Sequence, residues 1–275
     1  MVVDAHHHLW RYTDEEFGWI DDESLRRDYL ADEIGREIAA AGVDRTVVCE
    51  ARQCVEETDA LLAAAAANDF IAGVVGWFPI ADAGRFPALL DEYAGNPRLV
   101  GLRHVVQDEP DDAFILRPDF MDGVRRMRGT GLVYDILVFQ RQLANAARFV
   151  EAMPDDQVFV LDHIGKPMPG CVGEWAGLIR EMARHENVAC KFSGVVTEIG
   201  VGRDAIRGVF DVVLDAFGPG RLMWGSDWPV VTADVPYAEW YGTVCGLVAE
   251  LSASERAMVL GGSAERIYGL AGSCR

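Results

Sequence analysis

Eight short apolar runs, each followed by a stretch of helical periodicity, constrain most strongly what this chain can fold into. The runs cover 2–8, 46–51, 71–78, 99–106, 132–139, 158–164, 188–195 and 222–228. Apolar and β-branched residues follow one another in them without polar alternation, the pattern of parallel strands covered on both faces. Helices are expected over 30–41, 56–68, 85–94, 119–128, 142–153, 174–185, 205–217, 237–251 and 253–260. Gly42 is placed as a C-cap, and Ser252 with Glu255 three residues on has the spacing of a capping box. Eight strand–helix units predict an α/β chain closed into a (β/α)8 TIM barrel, one domain over 1–275. An open doubly wound sheet normally uses fewer strands, and no Gly-x-Gly-x-x-Gly follows the first run to bind its usual cofactors. The irregular stretch 10–29 reads as a loop over the barrel mouth.

A net charge of −19 argues against nucleic acid, which requires clustered Lys and Arg, and against a basic membrane-binding face. The start Met1-Val2-Val3-Asp4 has no basic stretch followed by an apolar run, and no segment is apolar for long enough to cross a bilayer. Cys49, Cys54, Cys171, Cys190, Cys245 and Cys274 lie scattered without a Cys-x-x-Cys pair, so reduced thiols and a cytoplasmic location are expected. The expected partner is a small molecule, and self-association into a homo-oligomer is left open.

In such a barrel the chemistry gathers at the C-terminal ends of the strands. Polar residues do occur late in these apolar runs, where burial otherwise disfavours them. The first run ends in His6-His7-His8. Side chains alternate along a strand, so His6 and His8 share a side and His7 points away. The sixth run delivers His163 and the eighth Asp227, the latter framed by Gly225 and Pro229. His6, His8, His163 and Asp227 offer nitrogen and oxygen ligands of the kind zinc takes. A carboxylate beside metal-bound water can accept its proton. Arg103 on the fourth run would hold a carboxylate or polarise a carbonyl, with a structural salt bridge weighed equally. Asp135, Lys191 and Ser193 follow on the fifth and seventh runs, and Trp10, Trp77 and Trp228 are apolar walls or core. Glu50 and Gln53, at the end of the second run, are weaker candidates. No Gly-x-Ser-x-Gly elbow is present, and no Cys–His pair stands out.

These residues form an ordered set. It opens with Asp4-Ala5-His6-His7-His8-Leu9-Trp10 and continues with Ala51-Arg52-Gln53, Glu56-Glu57-Thr58 and Gly101-Leu102-Arg103-His104. Leu161-Asp162-His163, Cys190-Lys191-Phe192-Ser193-Gly194 and Gly225-Ser226-Asp227-Trp228-Pro229-Val230 complete it. From Asp4 to about Leu270 the chain resembles the amidohydrolase superfamily, in particular the amidohydrolase-2 branch that includes L-fuconolactonases and L-rhamnonolactonases. The resemblance implies a distorted barrel that hydrolyses a sugar-acid lactone or a related lactone. By position, His6, His8 and His163 would surround the substrate carbonyl and Asp227 would activate water. Arg103, His104 and Lys166 would bind substrate oxygens, with Trp10, Gln53 and Asp135 as further substrate-facing candidates. Two-metal members carry a Lys or Glu on the fourth strand and a His on the fifth; here the fifth run has Asp135. At most one divalent metal is therefore expected, zinc by its ligands. The branch also contains metal-independent enzymes, in which the histidines would donate hydrogen bonds to the oxyanion. The middle residue of His-x-His is usually Gln in this branch, and His7 departs from that. The alternatives are a metal-dependent decarboxylase of an aromatic or enol acid and a catalytically silent binding protein. The full set of His6, His8, His163 and Asp227 weighs against the second.

Overall fold

The computed structural model describes residues 1–270; Cys274 lies outside them. Eight parallel strands stand in sequence order around one sheet. They are β1 (Val3–His7), β2 (Arg45–Cys49), β3 (Ile71–Gly76), β4 (Leu99–Val105), β5 (Val133–Leu137), β6 (Phe159–Leu161), β7 (Val188–Phe192) and β8 (Leu222–Trp224). A parallel bridge between His7 and Trp228 joins the last strand end to the first. With the His8 amide donating to Trp228 O (2.7 Å) and the Asp227 amide to His6 O (2.8 Å), it closes the barrel.

Helices cover the outside: α1 (Ala31–Ala41), α2 (Val55–Ala67), α3 (Arg85–Glu92), α4 (Pro118–Arg126), α5 (Leu143–Glu151) and α6 (Val172–Ala183). They continue as α7 (Val195–Ile199), α8 (Arg203–Phe217), α9 (Tyr237–Val248), α10 (Ala253–Ala257) and α11 (Ser263–Ile267). Gly42 takes a left-handed conformation (φ 72°) at the end of α1, and the Ser252–Glu255 capping box forms at α10. Residues 258–262 widen into a π-helical turn between α10 and α11. The seventh apolar run overshoots β7 by three residues and ends on Val195, the first residue of the short helix α7. Among the described residues no helix is long and apolar enough to cross a membrane.

Two apolar clusters separate cleanly. The larger fills the layer between sheet and helices. The smaller lies inside the barrel, where Val3, Ala5, Val47, Cys49, Val75, Val100, Val133, Val160, Ala189 and Met223 meet Ala264, Tyr268 and Leu270 of the C-terminal segment. The barrel is distorted at one point that matters for the site. Between Asp4 and His7 the β1–β2 register shifts, so three steps along β1 match two along β2. Such a bulge changes which way the following side chains face. Val3 and Ala5 point inward, and after the bulge so do His6 and His8, while His7 turns to Thr46 Oγ1 at 2.9 Å.

Candidate active site

At the C-terminal ends of the strands lies a cavity of about 300 Å³. His8, His163, Asp227, Arg103, Gln53 and Lys166 of the expected residues line it. His6 sits just beneath, its ring centroid 4.5 Å from that of His163. The loop 10–29 reaches over the mouth and contributes Glu16 and Trp19.

His6 Nε2 and His8 Nε2 approach to 3.1 Å, and Asp227 Oδ1 lies 3.7 Å from the first and 3.4 Å from the second. His8 Nδ1 meets the Cys49 carbonyl at 2.9 Å. A carbonyl only accepts, so Nδ1 carries a ring hydrogen, and Nε2 faces the cavity. Asp227 arrives in a left-handed conformation (φ 59°), and Gly225 two residues earlier permits the approach: a Cβ there would lie 2.7 Å from His6 Cβ. Burial acts to raise the Asp227 carboxyl. The neighbouring imidazoles of His163, His8 and His6 outweigh it and hold the group below the usual carboxylate range. His163 has its Nδ1 3.0 Å from Ser193 Oγ, and burial lowers its pKa to about 4, so it is neutral near pH 7. Burial, then Lys191, likewise keeps His6 neutral.

Under the histidines runs a buried network of charges. The Arg103 guanidinium donates to Glu50 Oε1 (2.9 Å), Asp162 Oδ2 (2.9 Å) and the Glu50 carbonyl. Its Nη1 also lies 3.4 Å from His6 Nε2. The Lys191 ammonium donates to Asp135 Oδ2 (2.5 Å), forms an ion pair with Asp162 (3.0 Å) and lies 3.2 Å from His6 Nδ1 and 3.6 Å from Cys49 Sγ. Tyr268 donates to Asp135 from below. Cys49 lies against this group, and burial pushes its thiol up to about 12.

Ligand atoms around a tetrahedral ion with bonds of about 2.0–2.1 Å are about 3.3 Å apart. The triangle of His6, His8 and Asp227 has edges of 3.1, 3.7 and 3.4 Å and therefore fits one divalent cation. His163 falls in a different grouping, with His6 and Asp162. Asp162 is already engaged by Arg103 and Lys191. The position that a fifth-strand histidine would take holds Asp135, committed to Lys191 and Tyr268.

Three expected substrate contacts stand off the cavity lining. Trp10 packs behind His8 (ring centroids 6.5 Å apart) and donates its indole N–H to Arg27 O. His104 pairs with Glu109 at 2.7 Å and stacks on Phe114, and Asp135 lies beneath His6 in the network. Arg103 borders the cavity, yet its charge is spent on Glu50 and Asp162. Asp162 and Arg52 stand in the sequence only within the stretches that carry the resemblance, and Thr197 and Glu198 carry no sequence signal; Arg52, Thr197 and Glu198 line the cavity. Asp162 carried a signal, a carboxylate at the end of an apolar run. Arg52, Thr197 and Glu198 come from turns and a short helix whose direction no local pattern specifies.

This barrel, with its histidines and aspartate at the strand ends, matches the amidohydrolase family over residues 3–270, and the chain belongs to that family. An L-fucono-1,5-lactonase of Burkholderia multivorans is 38% identical, with 98% of this chain and 96% of the relative covered. One of Burkholderia ambifaria is 33% identical over 97% of this chain and 94% of that protein. Among solved structures, a Burkholderia multivorans amidohydrolase with bound zinc superposes with a TM-score of 0.94 at 37% identity, covering 98% of this chain and all of that one.

Proposed function

We propose that this chain opens a small neutral lactone, a sugar-acid lactone by class, with Asp227 as the general base. The observation that carries the reading is the pairing of every cationic side chain that lines the cavity. Arg103 is held by Glu50 and Asp162, Arg52 by Glu16, and Lys166 by Glu198. A carboxylated substrate, such as a decarboxylase requires, would find no unpaired cationic side chain in the lining to neutralise it. A polyhydroxylated ring finds donors and acceptors side by side, with Trp19, Leu137 and Val230 for its apolar face. The names of the two Burkholderia relatives support the same class.

Water attacks the lactone carbonyl while Asp227, ionised at all physiological pH, accepts its proton. His163, neutral, donates a hydrogen bond to the oxygen on which negative charge develops. As the ring C–O bond breaks, Asp227 returns the proton to the departing oxygen, and the product leaves as a hydroxy acid. His6 and His8, held from behind by Lys191 and the Cys49 carbonyl, fix Asp227 in place. A divalent cation on His6, His8 and Asp227, for which zinc suits the two imidazoles and the carboxylate, would supply Lewis-acid polarisation and lower the pKa of bound water. The reading takes 1–275 as one domain acting in the cytoplasm. The unpaired thiols among the described residues support that location.

The test is turnover on a panel of sugar lactones by the wild type, stripped with chelator and reloaded with zinc, and by Asp227→Asn. The variant is expected to lose about 10²–10⁴-fold in kcat with an unchanged far-UV spectrum. Near-normal turnover would sink the assignment of Asp227.

A further inference from the structure

After β6 the backbone runs through the left-handed region for four residues in succession: His163 (φ 52°), Ile164 (50°), Gly165 (68°) and Lys166 (50°). L residues visit this region singly, not in runs, and a β-branched residue such as Ile164 is among the least suited to it. Strain of this kind persists only where the surroundings over-determine it, and it concentrates at functional sites. Here the surroundings do so. The Trp175 indole donates to Ile164 O at 2.7 Å, the Met168 amide to Gln140 Oε1 at 2.8 Å, and the Lys166 amide to His163 O at 2.9 Å. Leu143 lies so close to Gly165 that a Cβ would be 2.7 Å from it.

The turn delivers His163 and Lys166, three residues apart, to the same cavity. Lys166 is not a roaming surface lysine: its ammonium lies 3.4 Å from Glu198 Oε1 and 5.2 Å from the Phe139 ring centroid. Glu198 comes from α7, whose first turn follows Gly194, the residue whose missing Cβ makes room for the His163 ring. Burial raises the Glu198 carboxyl against the opposing pull of Lys166, and Glu198 and Asp227 line the same cavity. Lys166 and Glu198 are thus built from the same two turns that set the His163 ring, beside the centre where the carbonyl is attacked.

We propose that Glu198 and Lys166 together bind the hydroxyl on the carbon adjacent to the lactone carbonyl. Glu198 accepts the hydroxyl hydrogen and Lys166 donates to its oxygen, so the pair selects 2-hydroxy lactones. The assignment rests on the lactonase reading. What contacts Lys166 must neighbour what contacts His163, because one short strained turn carries both. A deoxy ring displaces water from both groups without replacing the hydrogen bonds it made, and this makes the site reject the deoxy ring.

The experiment measures kcat and KM for wild type, Glu198→Gln and Lys166→Met on a 2-hydroxy sugar lactone and on its 2-deoxy and 3-deoxy analogues. Thermal unfolding of each protein is recorded alongside. Wild type is expected to favour the 2-hydroxy lactone over the 2-deoxy one by about 10–100-fold in kcat/KM. Glu198→Gln should lose about that factor on the 2-hydroxy lactone, chiefly in KM, and change less than about 3-fold on the 2-deoxy lactone. Lys166→Met should behave alike, which guards against a folding artefact in either variant. Equal losses on the 2-hydroxy and 2-deoxy lactones, or a loss that disappears with the 3-deoxy lactone instead, would overturn the proposal while the lactonase reading stands. Absence of wild-type turnover on every lactone overturns the lactonase reading itself, and the pair's assignment with it.

Discussion

Glu57, on α2, is 4% exposed, and its carboxyl accepts the amide hydrogens of Ala51 (2.9 Å) and Arg52 (2.7 Å). It thereby ties the end of the β2 turn, which carries Arg52 and Gln53, to the helix behind. Burial, reinforced by the charge of Glu50, outweighs those donors and pushes its pKa up to about 8. A carboxyl whose pKa is higher folded than unfolded stabilises most below its unfolded value of 4.5, and that contribution fades as pH rises toward 8. Glu57→Gln keeps an acceptor for the two amides without the ionisation. Its melting temperature relative to wild type should therefore climb between pH 5 and pH 8, by about 5 °C. A difference that stays constant over this range, followed by calorimetry, would show that Glu57 does not titrate there. Single residues of this sort were the least legible part of the sequence. Glu50 and Gln53 were visible as polar residues ending an apolar run, but Arg103 consumes the former, and the latter accepts the Val105 amide at 3.0 Å.

Secondary elements were far more legible, and their misreadings have a common cause. Every apolar run overlaps its strand, yet the sixth and eighth overshoot: β6 ends at Leu161 and β8 at Trp224. The remaining residues leave the sheet to form the turns that present His163 and Asp227, whose left-handed backbone no hydrophobic pattern encodes. Gly194 belongs to the same construction, with φ 64° and a hypothetical Cβ 2.6 Å from His163 Nδ1. Gly194→Ala combines the left-handed penalty of about 1–2 kcal/mol with displacement of the imidazole. A reactive group moved by about 1 Å costs on the order of 10²-fold in rate. We expect kcat/KM to fall by about that factor with only a modest drop in melting temperature. Wild-type kinetics in this variant would mean that the His163 position is not critical.

At the scale of the molecule, closure of the barrel depends on Asp4. Its carboxylate accepts the amides of Ser226 (2.8 Å) and His6 (3.2 Å) and the Tyr237 hydroxyl (3.2 Å), binding β1 to the turn after β8 and to α9. Asp4→Ala leaves three buried donors without that acceptor, at about 1–3 kcal/mol for each one not re-paired. The melting temperature should fall by about 6 °C or more, at about 2–4 °C per kcal/mol for a chain of this size. An unchanged unfolding transition would place the closure elsewhere.

The sequence by itself determined the eight-fold strand–helix repeat, the barrel that follows from it, and the residue types at the strand ends, including His6 and His8 on one side with His7 opposed. These are local properties, set by the pleat of a strand, the turn of a helix and the order of residues. Tertiary structure alone decided that a bulge after Asp4 aims the histidine pair inward and that Arg103 is spent on Glu50 and Asp162. It also decided that Lys166 meets Glu198 across the cavity wall. The reason is separation along the chain. Charge pairing and register join residues 32 to 222 positions apart, as in Lys166 with Glu198 and Asp4 with Ser226, and only the closed barrel brings them within a hydrogen bond or an ion pair of one another.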